Sequence, residues 1–346
     1  MSIEVRKMEN KTQIAVMGAG SWGTALAILL AQKGHEVRLW GHNHEHIDLL
    51  VVDRENKRYL HGRAFPDNLS PTRELEKAIK GARIVLMVVP SHAFRLVFQG
   101  VAPLLQDKTR VISAVKGIEN KTLKTMSQII EEILMGHDIL KRDIQIGVLS
   151  GPSFAEEVAS GVPTAVTLGF SDLDTARSLQ EILATDSFRI YISRDVIGLE
   201  VSAALKNIVA IAAGVCDGLG YGLNTRAALI TRGLAEIQRL GMAMGADTST
   251  FAGLSGLGDL ILTCTGNLSR NRTVGLMLGQ GKSLGQIKNE MKMVAEGIKT
   301  TKSVYDLAQK LQIEMPILDQ VHGILYEGKK CSEAVKALLQ RELKQE

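Results

Sequence analysis

The chain of 346 residues has few cysteines and few aromatic residues. Its three cysteines, Cys216, Cys264 and Cys331, are far apart and form no CxxC pair, which argues against a disulfide framework or a cysteine zinc site and favours a reducing compartment. Aromatic residues make up 4% of the chain, and the formal net charge of +4 is spread along it, whereas nucleic-acid binders usually carry a dense basic stripe with interleaved aromatics. We therefore expect neither a nucleic-acid-binding protein nor a disulfide-rich domain.

We also find no apolar run of the roughly 18 to 20 residues that a membrane-spanning helix needs. The N-terminal segment MSIEVRKMENKTQ is polar and mixed in charge, unlike a signal peptide. These features predict a cytoplasmic protein without membrane insertion. Residues 1–12 are expected to form a short disordered lead, and the length, at roughly 150 residues per domain, predicts two domains.

Short apolar runs alternate with helical stretches in the first half of the chain. Strands are predicted at Gln13–Met17, Glu36–Trp40, Ile84–Val89, Val111–Ala114, Ile146–Leu149, Ala165–Leu168 and Phe188–Ile192. Helices are predicted between most of them, at Trp22–Lys33, Glu74–Lys80, Leu123–Leu134 and Ser171–Leu183. This alternation predicts an α/β domain whose mostly parallel sheet is covered by helices on both faces.

After about Arg194 the strand-like runs give way to long helical stretches rich in Ala, Leu and Ile. The clearest are Glu200–Val215 and Thr225–Met244, and Lys329–Lys344 is amphipathic. We therefore place a domain boundary between residues 193 and 194, with a Rossmann-type domain before it and an all-helical domain after it.

A glycine-rich turn follows the first predicted strand. Gly18, Gly20 and Gly23 form the GxGxxG pattern between that strand and a helix. In a dinucleotide-binding turn the first glycine makes the tight turn, the second admits the pyrophosphate and the third lets helix and strand pack closely. A tight turn without a ligand is the alternative interpretation. The context favours an NAD(P)-binding domain over residues 1–193, with phosphates held at the helix N-terminus.

The end of the second strand bears on the choice of cofactor. An NAD-selective site usually carries an acidic residue there, but this strand ends Trp40-Gly41-His42-Asn43 and the first acid is Glu45. NADP is therefore allowed as well as NAD, with His42 and Asn43 as candidate neighbours of the ribose. The two-residue spacing of His42, His44 and His46 fits no common zinc pattern, so we predict a solvated loop here and no metal.

Polar residues that leave strand ends are candidates for ligand contacts, because ligands of open parallel sheets bind outside the carboxyl ends of the strands. Lys116 is placed to meet an anion, although a solvated loop lysine is equally compatible with its position. The Gly151-Pro152-Ser153 turn could contact a ligand, or Ser153 could simply cap the next helix.

Two basic residues in the helical half are more informative. Lys206 lies in a helix that is apolar nearly all round, where burial lowers the pKa of an amine toward values useful for a general base. A structural ion pair is the alternative. Ser269 resembles an N-cap, which leaves Arg270 and Asn271 in a first helical turn. A cation is unfavourable there unless an anion such as a phosphate binds beside it, and a tolerated surface arginine is the alternative.

Together these motifs closely resemble the bacterial NAD(P)-dependent glycerol-3-phosphate dehydrogenases. The matching segments are GAGSWGTALA (18–27), AVKGIE (114–119), LSGPSFAEEVA (149–159), ALKNIVAIAAG (204–214), LSGLGDLILTCT (254–265), SRNR (269–272) and VAEG (294–297). The resemblance implies a dinucleotide-binding domain followed by a helical substrate-binding and catalytic domain over 194–346. It also implies that Lys206 is the proton acceptor. It assigns substrate contacts to Lys116, Gly151, Ser153, Lys206, Asp259, Ser269, Arg270 and Asn271. It assigns cofactor contacts to Ser21, Trp22, His42, Lys116, Ala155, Arg270, Val294 and Glu296, beside the three glycines.

The implied activity is that of an oxidoreductase acting on a CH–OH group, which uses NAD or NADP as cofactor and interconverts dihydroxyacetone phosphate and glycerol 3-phosphate by hydride transfer. A homodimer and a role in supplying phospholipid synthesis are implied by the same resemblance. Two rival interpretations stay open at this stage. One is a related β-hydroxyacid dehydrogenase, against which the Ser269-Arg270-Asn271 segment argues. The other is a dinucleotide-sensing protein without turnover, which would leave the buried Lys206 unexplained.

Overall fold

The computed structural model describes residues 11–136, 142–291 and 295–342. These residues form two compact units. The first extends to Val115 and resumes over Met126–Val196, and the second combines Lys116–Thr125 with the chain from Ile197 onward. This division lies close to residues 193 and 194, but it assigns the internal segment Lys116–Thr125 to the second unit.

The first unit contains an eight-stranded sheet and a two-stranded hairpin. The strands are β1 (Gln13–Met17), β2 (Glu36–Trp40), β3 (Glu55–Asn56), β4 (Leu60–Ala64), β5 (Leu69–Thr72), β6 (Ile84–Met87), β7 (Arg110–Ser113), β8 (Gln145–Ser150), β9 (Thr164–Phe170) and β10 (Phe188–Ser193). The order in the large sheet is β10-β9-β8-β7-β6-β1-β2-β5, and β3 pairs with β4. Only β8 and β9 run antiparallel in the large sheet, so the predicted mostly parallel sheet is confirmed.

Helices cover both faces of this sheet. They are α1 (Ser21–Gln32), α2 (His44–Asp53), α3 (Leu75–Ile79), α4 (Phe94–Val101), α5 (Met126–Met135), α6 (Ala155–Ala159) and α7 (Leu173–Leu183), with 3-10 turns at Ser91–Ala93 and Ala102–Leu104. Neighbouring residues along β1 enter different apolar clusters: Ile14 and Val16 lie in one, and Ala15 and Met17 lie in the other. Because successive side chains of a strand point to opposite faces, the sheet is buried on both sides.

The predicted strands are confirmed, with ends that differ by a few residues, whereas β5 and the β3–β4 hairpin were not predicted. Gly34 follows α1 with φ +106°, as expected for a residue after a helix end. The predicted solvated loop around the histidines is only partly correct: His42 and His44 are exposed, but His44 begins a helix and His46 is buried. Helix α2 begins at His44 because the Asn43 side chain accepts a hydrogen bond from the His46 N–H at 2.9 Å. The His46 ring is buried and meets the Tyr59 ring edge-on.

The second unit is helical in all of its described regular structure. It contains α8 (Val196–Gly218), α9 (Leu223–Ala243), α10 (Asp259–Thr265), α11 (Arg270–Gly279), α12 (Leu284–Glu290), α13 (Glu296–Leu311), α14 (Pro316–Tyr326) and α15 (Cys331–Leu339). A 3-10 turn at Thr248–Ala252 and a π-helical turn at Leu254–Gly258 precede α10. The predicted all-helical domain is therefore confirmed.

Helix α8 forms the centre of the apolar core of this unit. Our expectation that no segment was long and apolar enough to span a membrane was wrong, because α8 passes that test by length and composition, with a mean hydropathy of 1.7. However, 89% of its most apolar window is buried inside the protein. That burial is typical of the core helix of a globular domain.

A buried acid caps another helix of the second unit. The Glu236 carboxylate, on α9, accepts hydrogen bonds from the N–H groups of Ile317 at 2.8 Å and Leu318 at 3.3 Å, in the first turn of α14. Met315, the residue before α14, provides no side-chain cap. Burial raises the pKa of Glu236 to about 7, although the two N–H donors oppose this.

Candidate functional site

The glycine turn after β1 has the geometry of a phosphate-binding turn. Gly18 adopts φ +132°, and a Cβ on it would lie 2.7 Å from the Val88 carbonyl oxygen. A Cβ on Gly23 would lie 1.8 Å from the Gly18 carbonyl oxygen, so this glycine lets α1 pack against the turn. A Cβ on Gly20, in contrast, would have no described atom within 4 Å. The middle glycine therefore faces open space, where a pyrophosphate would fit.

Helix α1 supplies the donors for such a phosphate. Gly20 is its N-cap and gives no side-chain hydrogen bond, and the first turn carries no acidic residue. Ser21 and Trp22 start the helix, and Trp22 packs partly against the apolar cluster of the sheet. An anion at this end would bind the first N–H groups, which have no acceptor within the helix.

The end of β2 offers no carboxylate to a ribose. Trp40 is buried, His42 is exposed and Asn43 is committed to capping α2. A Cβ on Gly41 would lie 2.8 Å from the Ile47 side chain, so this position has little room for another residue. The geometry therefore fits either NAD or NADP, as expected from the sequence.

The structure excludes one of the two predicted roles of the turn after β8, namely that Ser153 caps the next helix. Gly151 adopts φ +140°, and the Ser153 hydroxyl donates to the Gly151 carbonyl oxygen at 2.9 Å. Ser153 does not cap the next helix, because the N-cap of α6 is Phe154, which gives no side-chain hydrogen bond. Ala155 is the first residue of α6. Gly18, Gly20, Ser21, Trp22, Gly23, His42, Gly151, Ser153 and Ala155 thus all belong to the first compact unit.

Two lysines share one buried carboxylate in the second unit. Lys116 Nζ lies 2.7 Å from Asp259 Oδ2, and Lys206 Nζ lies 2.8 Å from Asp259 Oδ1. Lys206 also donates to the Thr263 hydroxyl at 2.6 Å, and Thr263 donates in turn to the Asp259 carbonyl oxygen at 2.6 Å. The Asp259 side chain is 1% exposed and that of Lys206 is 6% exposed. Two ammonium groups on one carboxylate leave a net positive charge that favours an anion or a developing oxyanion.

Local sequence explains why Asp259 points into this cluster. The glycine-rich segment before it forms the π-helical turn Leu254–Gly258, a form that is rare and often marks functional sites. A Cβ on Gly256 would lie 2.1 Å from the Phe251 carbonyl oxygen, so the turn requires a glycine there. Asp259 then occupies the first turn of α10, where the helix dipole favours an acid.

The surroundings of Lys206 bring its pKa closer to neutral pH than that of an exposed lysine. Burial lowers the pKa of Lys206 to about 8; Asp259 opposes this change, and the nearby Lys116 ammonium adds to it. An amine with this pKa holds or releases a proton near neutral pH, which is the property of a general acid–base. A purely structural lysine would form the same ion pair with Asp259, so the geometry is also compatible with that alternative.

The start of α11 confirms the predicted cap. The Ser269 hydroxyl accepts from the Arg272 N–H at 3.3 Å, so Arg270 and Asn271 occupy the first turn. Arg270 is exposed, and the first turn carries no acidic residue. Arg272 is paired with Asp217 at 2.8 Å. The helix end therefore carries N–H donors and a guanidinium on the outside, a combination suited to phosphate.

Two polar residues of this region were not predicted. Asn207 Oδ1 accepts from Asn271 Nδ2 at 2.9 Å, and Thr263 contacts Lys206 as described above. The spacing of Thr263 four residues after Asp259 in a helical stretch was an available signal. For Asn207 the available signal was its position next to Lys206 in an apolar helix.

The predicted cofactor contacts near residue 295 are only partly described. Val294 lies outside the described residues. Glu296 is the first residue of α13, and the Asn271 side-chain oxygen accepts from the Gly297 N–H at 2.9 Å in the first turn of that helix. Lys116, Lys206, Asp259, Ser269, Arg270, Asn271 and Glu296 thus all belong to the second unit.

Comparison with known proteins assigns both units to one family. The profile of the NAD-dependent glycerol-3-phosphate dehydrogenase N-terminus matches residues 13–176, and that of the C-terminus matches residues 195–336. Glycerol-3-phosphate dehydrogenase (NAD(P)+) of Desulfotalea psychrophila is 63% identical over 98% of this chain and 100% of its own. The protein of the same name from Citrifermentans bemidjiense is 53% identical over 96% of this chain and 98% of its own.

A solved structure supports the same conclusion. The crystal structure of glycerol-3-phosphate dehydrogenase from Coxiella burnetii is 44% identical, with a TM-score of 0.91, and covers 96% of this chain and 99% of its own. The family identified from the sequence motifs is therefore confirmed, and the β-hydroxyacid and sensor interpretations lose their support. This chain belongs to the NAD-dependent glycerol-3-phosphate dehydrogenase family of oxidoreductases.

Proposed function

We propose that this chain catalyses the reversible reduction of dihydroxyacetone phosphate to glycerol 3-phosphate, with NADH or NADPH as the hydride donor, and that Lys206 transfers the proton. The observation that carries the catalytic assignment is the buried Lys206 ammonium, bonded to Asp259 and Thr263, with a pKa lowered to about 8. A structural lysine would not require such a pKa, whereas proton transfer near neutral pH does.

A bound nicotinamide dinucleotide supplies the hydride that adds to C2 of the substrate, or accepts it in the reverse direction. Lys206 donates a proton to the C2 oxygen during reduction, so its N–H bond breaks as the new O–H bond forms. Neutral Lys206 then regains a proton from solvent. During oxidation, neutral Lys206 takes the hydroxyl proton instead. Because its pKa lies near 8, both forms are populated near neutral pH.

The other residues of the cluster hold Lys206 in position. Asp259 accepts from both lysines, and this restricts the direction of each ammonium. Lys116 adds a second positive charge beside the C2 oxygen, where charge develops as the carbonyl is reduced. Thr263 accepts one of the three Lys206 protons and so limits rotation of the ammonium.

The phosphate of the substrate is assigned to the start of α11. Arg270 would give paired donors to phosphate oxygens, and the first N–H groups of a ten-residue helix would add to them. Ser269 and Asn271 support this end through the hydrogen bonds described above. Gly151 and Ser153 are further substrate contacts implied by the family resemblance.

The cofactor is assigned to the glycine turn and its neighbours. Gly18, Gly20 and Gly23 shape the turn, and Ser21 and Trp22 present the helix end to the pyrophosphate. His42, Lys116, Ala155, Arg270, Val294 and Glu296 are further cofactor contacts carried over from the family. The absence of a carboxylate at the end of β2 supports use of NADP as well as NAD.

The cellular setting follows from the same proposal. We expect a cytoplasmic homodimer that acts on a small phosphorylated substrate, binds no nucleic acid and supplies glycerol phosphate for phospholipid synthesis. The burial of α8 within the second unit supports a protein that does not insert into a membrane.

The experiment that tests the function is steady-state oxidation of NADPH and NADH with dihydroxyacetone phosphate. Lys206→Ala should lower kcat by about 10²-fold or more, the range expected for loss of a general acid–base, while cofactor binding by titration is retained. Lys288→Ala, at an exposed position of α12, is the matched control and should retain parental activity. No turnover by the parent, or a near-normal kcat in Lys206→Ala, would contradict the proposal.

A further inference from the structure

Helices α8 and α11 run parallel and in register. Asn207 bonds to Asn271, a Cβ on Gly275 would lie 2.0 Å from the Ile211 carbonyl oxygen, and one on Gly279 would lie 2.5 Å from that of Val215. In these three contacts the α11 residue is numbered 64 higher than its α8 partner, and in two others, Gly214 with Arg272 and Gly218 with Leu276, it is numbered 58 higher. Each of the two differences stays the same along the helix pair, as expected for two parallel helices packed at a fixed register. Lys206 immediately precedes Asn207 on α8, and Arg270 immediately precedes Asn271 on α11.

The two helices touch through their backbones. Gly214 and Gly218 of α8 and Gly275 and Gly279 of α11 form what we call the glycine seam. A Cβ on Gly214 would lie 2.0 Å from the Arg272 carbonyl oxygen, and one on Gly218 would lie 2.3 Å from that of Leu276. Real Cβ atoms essentially never come within 3.0 Å of another heavy atom, so any side chain here would force the helices apart.

The N-terminal end of the seam is closed by hydrogen bonds. Asn271 Nδ2 donates to Asn207, the neighbour of Lys206, while Asn271 Oδ1 accepts from the Gly297 N–H. Asn271 is 9% exposed and Asn207 is 5% exposed, so this amide pair is shielded from water and its loss would be costly. This hydrogen bond therefore fixes the position of Lys206 on α8 relative to the phosphate-binding end of α11.

We propose that the glycine seam positions Lys206 relative to the phosphate-binding end of α11, and so selects substrates by the distance between C2 and phosphorus. This inference rests on the proposed function. In dihydroxyacetone phosphate, C2 and phosphorus are separated by three bonds, so one molecule reaches both groups only at a matching helix separation. The four glycines are positioning residues, since none of them needs to touch the substrate.

The test is to widen the seam. Gly275→Ala should separate the helices by on the order of 1 Å, and a misplacement of that size costs up to about 10²-fold in rate. We expect kcat/KM for dihydroxyacetone phosphate to fall by about 10- to 100-fold. The value for dihydroxyacetone, which has no phosphate and does not reach both groups, should stay near that of the parent. Gly285→Ala, on α12, is the control, because its Cβ would meet only the Ser283 hydroxyl at 4.0 Å among described atoms.

The ratio of the two kcat/KM values separates positioning from a merely structural role. A destabilised enzyme loses activity toward both substrates by the same factor, and an unchanged ratio in a folded Gly275→Ala variant would overturn the proposal. Gly279→Ala, with the weaker overlap of 2.5 Å, replaces it if Gly275→Ala does not fold by circular dichroism. A parent enzyme that does not prefer dihydroxyacetone phosphate over dihydroxyacetone would refute the proposed function itself, whereas a preference in the folded variants as large as that of the parent would refute only the seam.

Discussion

The pKa of Lys206 predicts opposite pH profiles for the two directions of the reaction. Reduction requires protonated Lys206, so kcat/KM for dihydroxyacetone phosphate should fall as the pH rises through about 8. Oxidation requires neutral Lys206, so kcat/KM for glycerol 3-phosphate should rise through the same pH. The difference between 10.5 and about 8 corresponds to about 3 kcal/mol in favour of the neutral amine, which makes the pH of the transition distinct from that of an exposed lysine.

Substitutions of the two charged neighbours should move this transition in opposite directions. Asp259 raises the pKa of Lys206, so Asp259→Asn should move both profiles to lower pH. Because the Asp259 carboxylate lies 2.8 Å from the Lys206 ammonium inside the protein, and 1.36 kcal/mol corresponds to one pH unit, the movement should be on the order of one pH unit or more. Lys116 lowers the pKa of Lys206, so Lys116→Met should move both profiles to higher pH.

Initial rates in both directions, measured at constant ionic strength from about pH 6 to 10, would give these profiles. The absolute rates of both variants should fall, because both residues are assigned to substrate binding, but the position of the transition does not depend on that loss. If both substitutions leave the transition where it is, or move it the same way, then Lys206 is not the group that titrates.

Three further predictions concern other parts of the chain. Burial raises the pKa of Glu236 to about 7, so the folded protein holds this proton more tightly than the unfolded chain, and the free energy of unfolding should fall as the pH rises from about 4.5 to 7. Glu236→Gln should remove this fall and be more stable than the parent at pH 8 by at most about 3 kcal/mol, as measured by urea unfolding at several pH values. Asn43→Asp keeps the cap of α2 and adds a carboxylate, so it should raise KM for NADPH more than for NADH, whereas Asn43→Ser, which also caps, should not; equal changes would mean that the ribose lies elsewhere. Arg270→Ala should raise KM for dihydroxyacetone phosphate by about ten- to a hundredfold, the loss expected for a charge-assisted contact, and should leave dihydroxyacetone almost unaffected; equal damage to both substrates would remove the phosphate assignment.

Local signals in the sequence were sufficient for the glycine turn and the cap of α11. Gly18, Gly20 and Gly23 follow an apolar strand, and Ser269 precedes a helical stretch, so each depends only on neighbouring residues. The His44 helix was missed because its cap, Asn43, lies in a polar, histidine-rich stretch that resembles a loop. The large sheet was predicted because its strands are buried on both faces and read as apolar runs.

The charge cluster could not be predicted in the same way. Lys116 and Asp259 are separated by 143 positions, and no periodicity links them. The sequence indicated that a buried Lys206 needs a partner, but the identity of that partner depends on how α8 and α10 pack. The hydrogen bond between Asn207 and Asn271 depends likewise on the register of two helices, which their individual patterns do not determine.

The membership of Lys116–Thr125 in the second unit has a consequence for synthesis on the ribosome. At about 5 to 20 residues per second, Lys116 emerges roughly 7 to 30 s before Asp259, 143 positions later. During that interval its ammonium stays hydrated, and Ile118, a core residue of the second unit, lacks the helices against which it packs. Strands β7 and β8 flank Lys116–Thr125 and can pair before this segment has packed. The ion pairs of the two lysines with Asp259 form only after α10 has been synthesised.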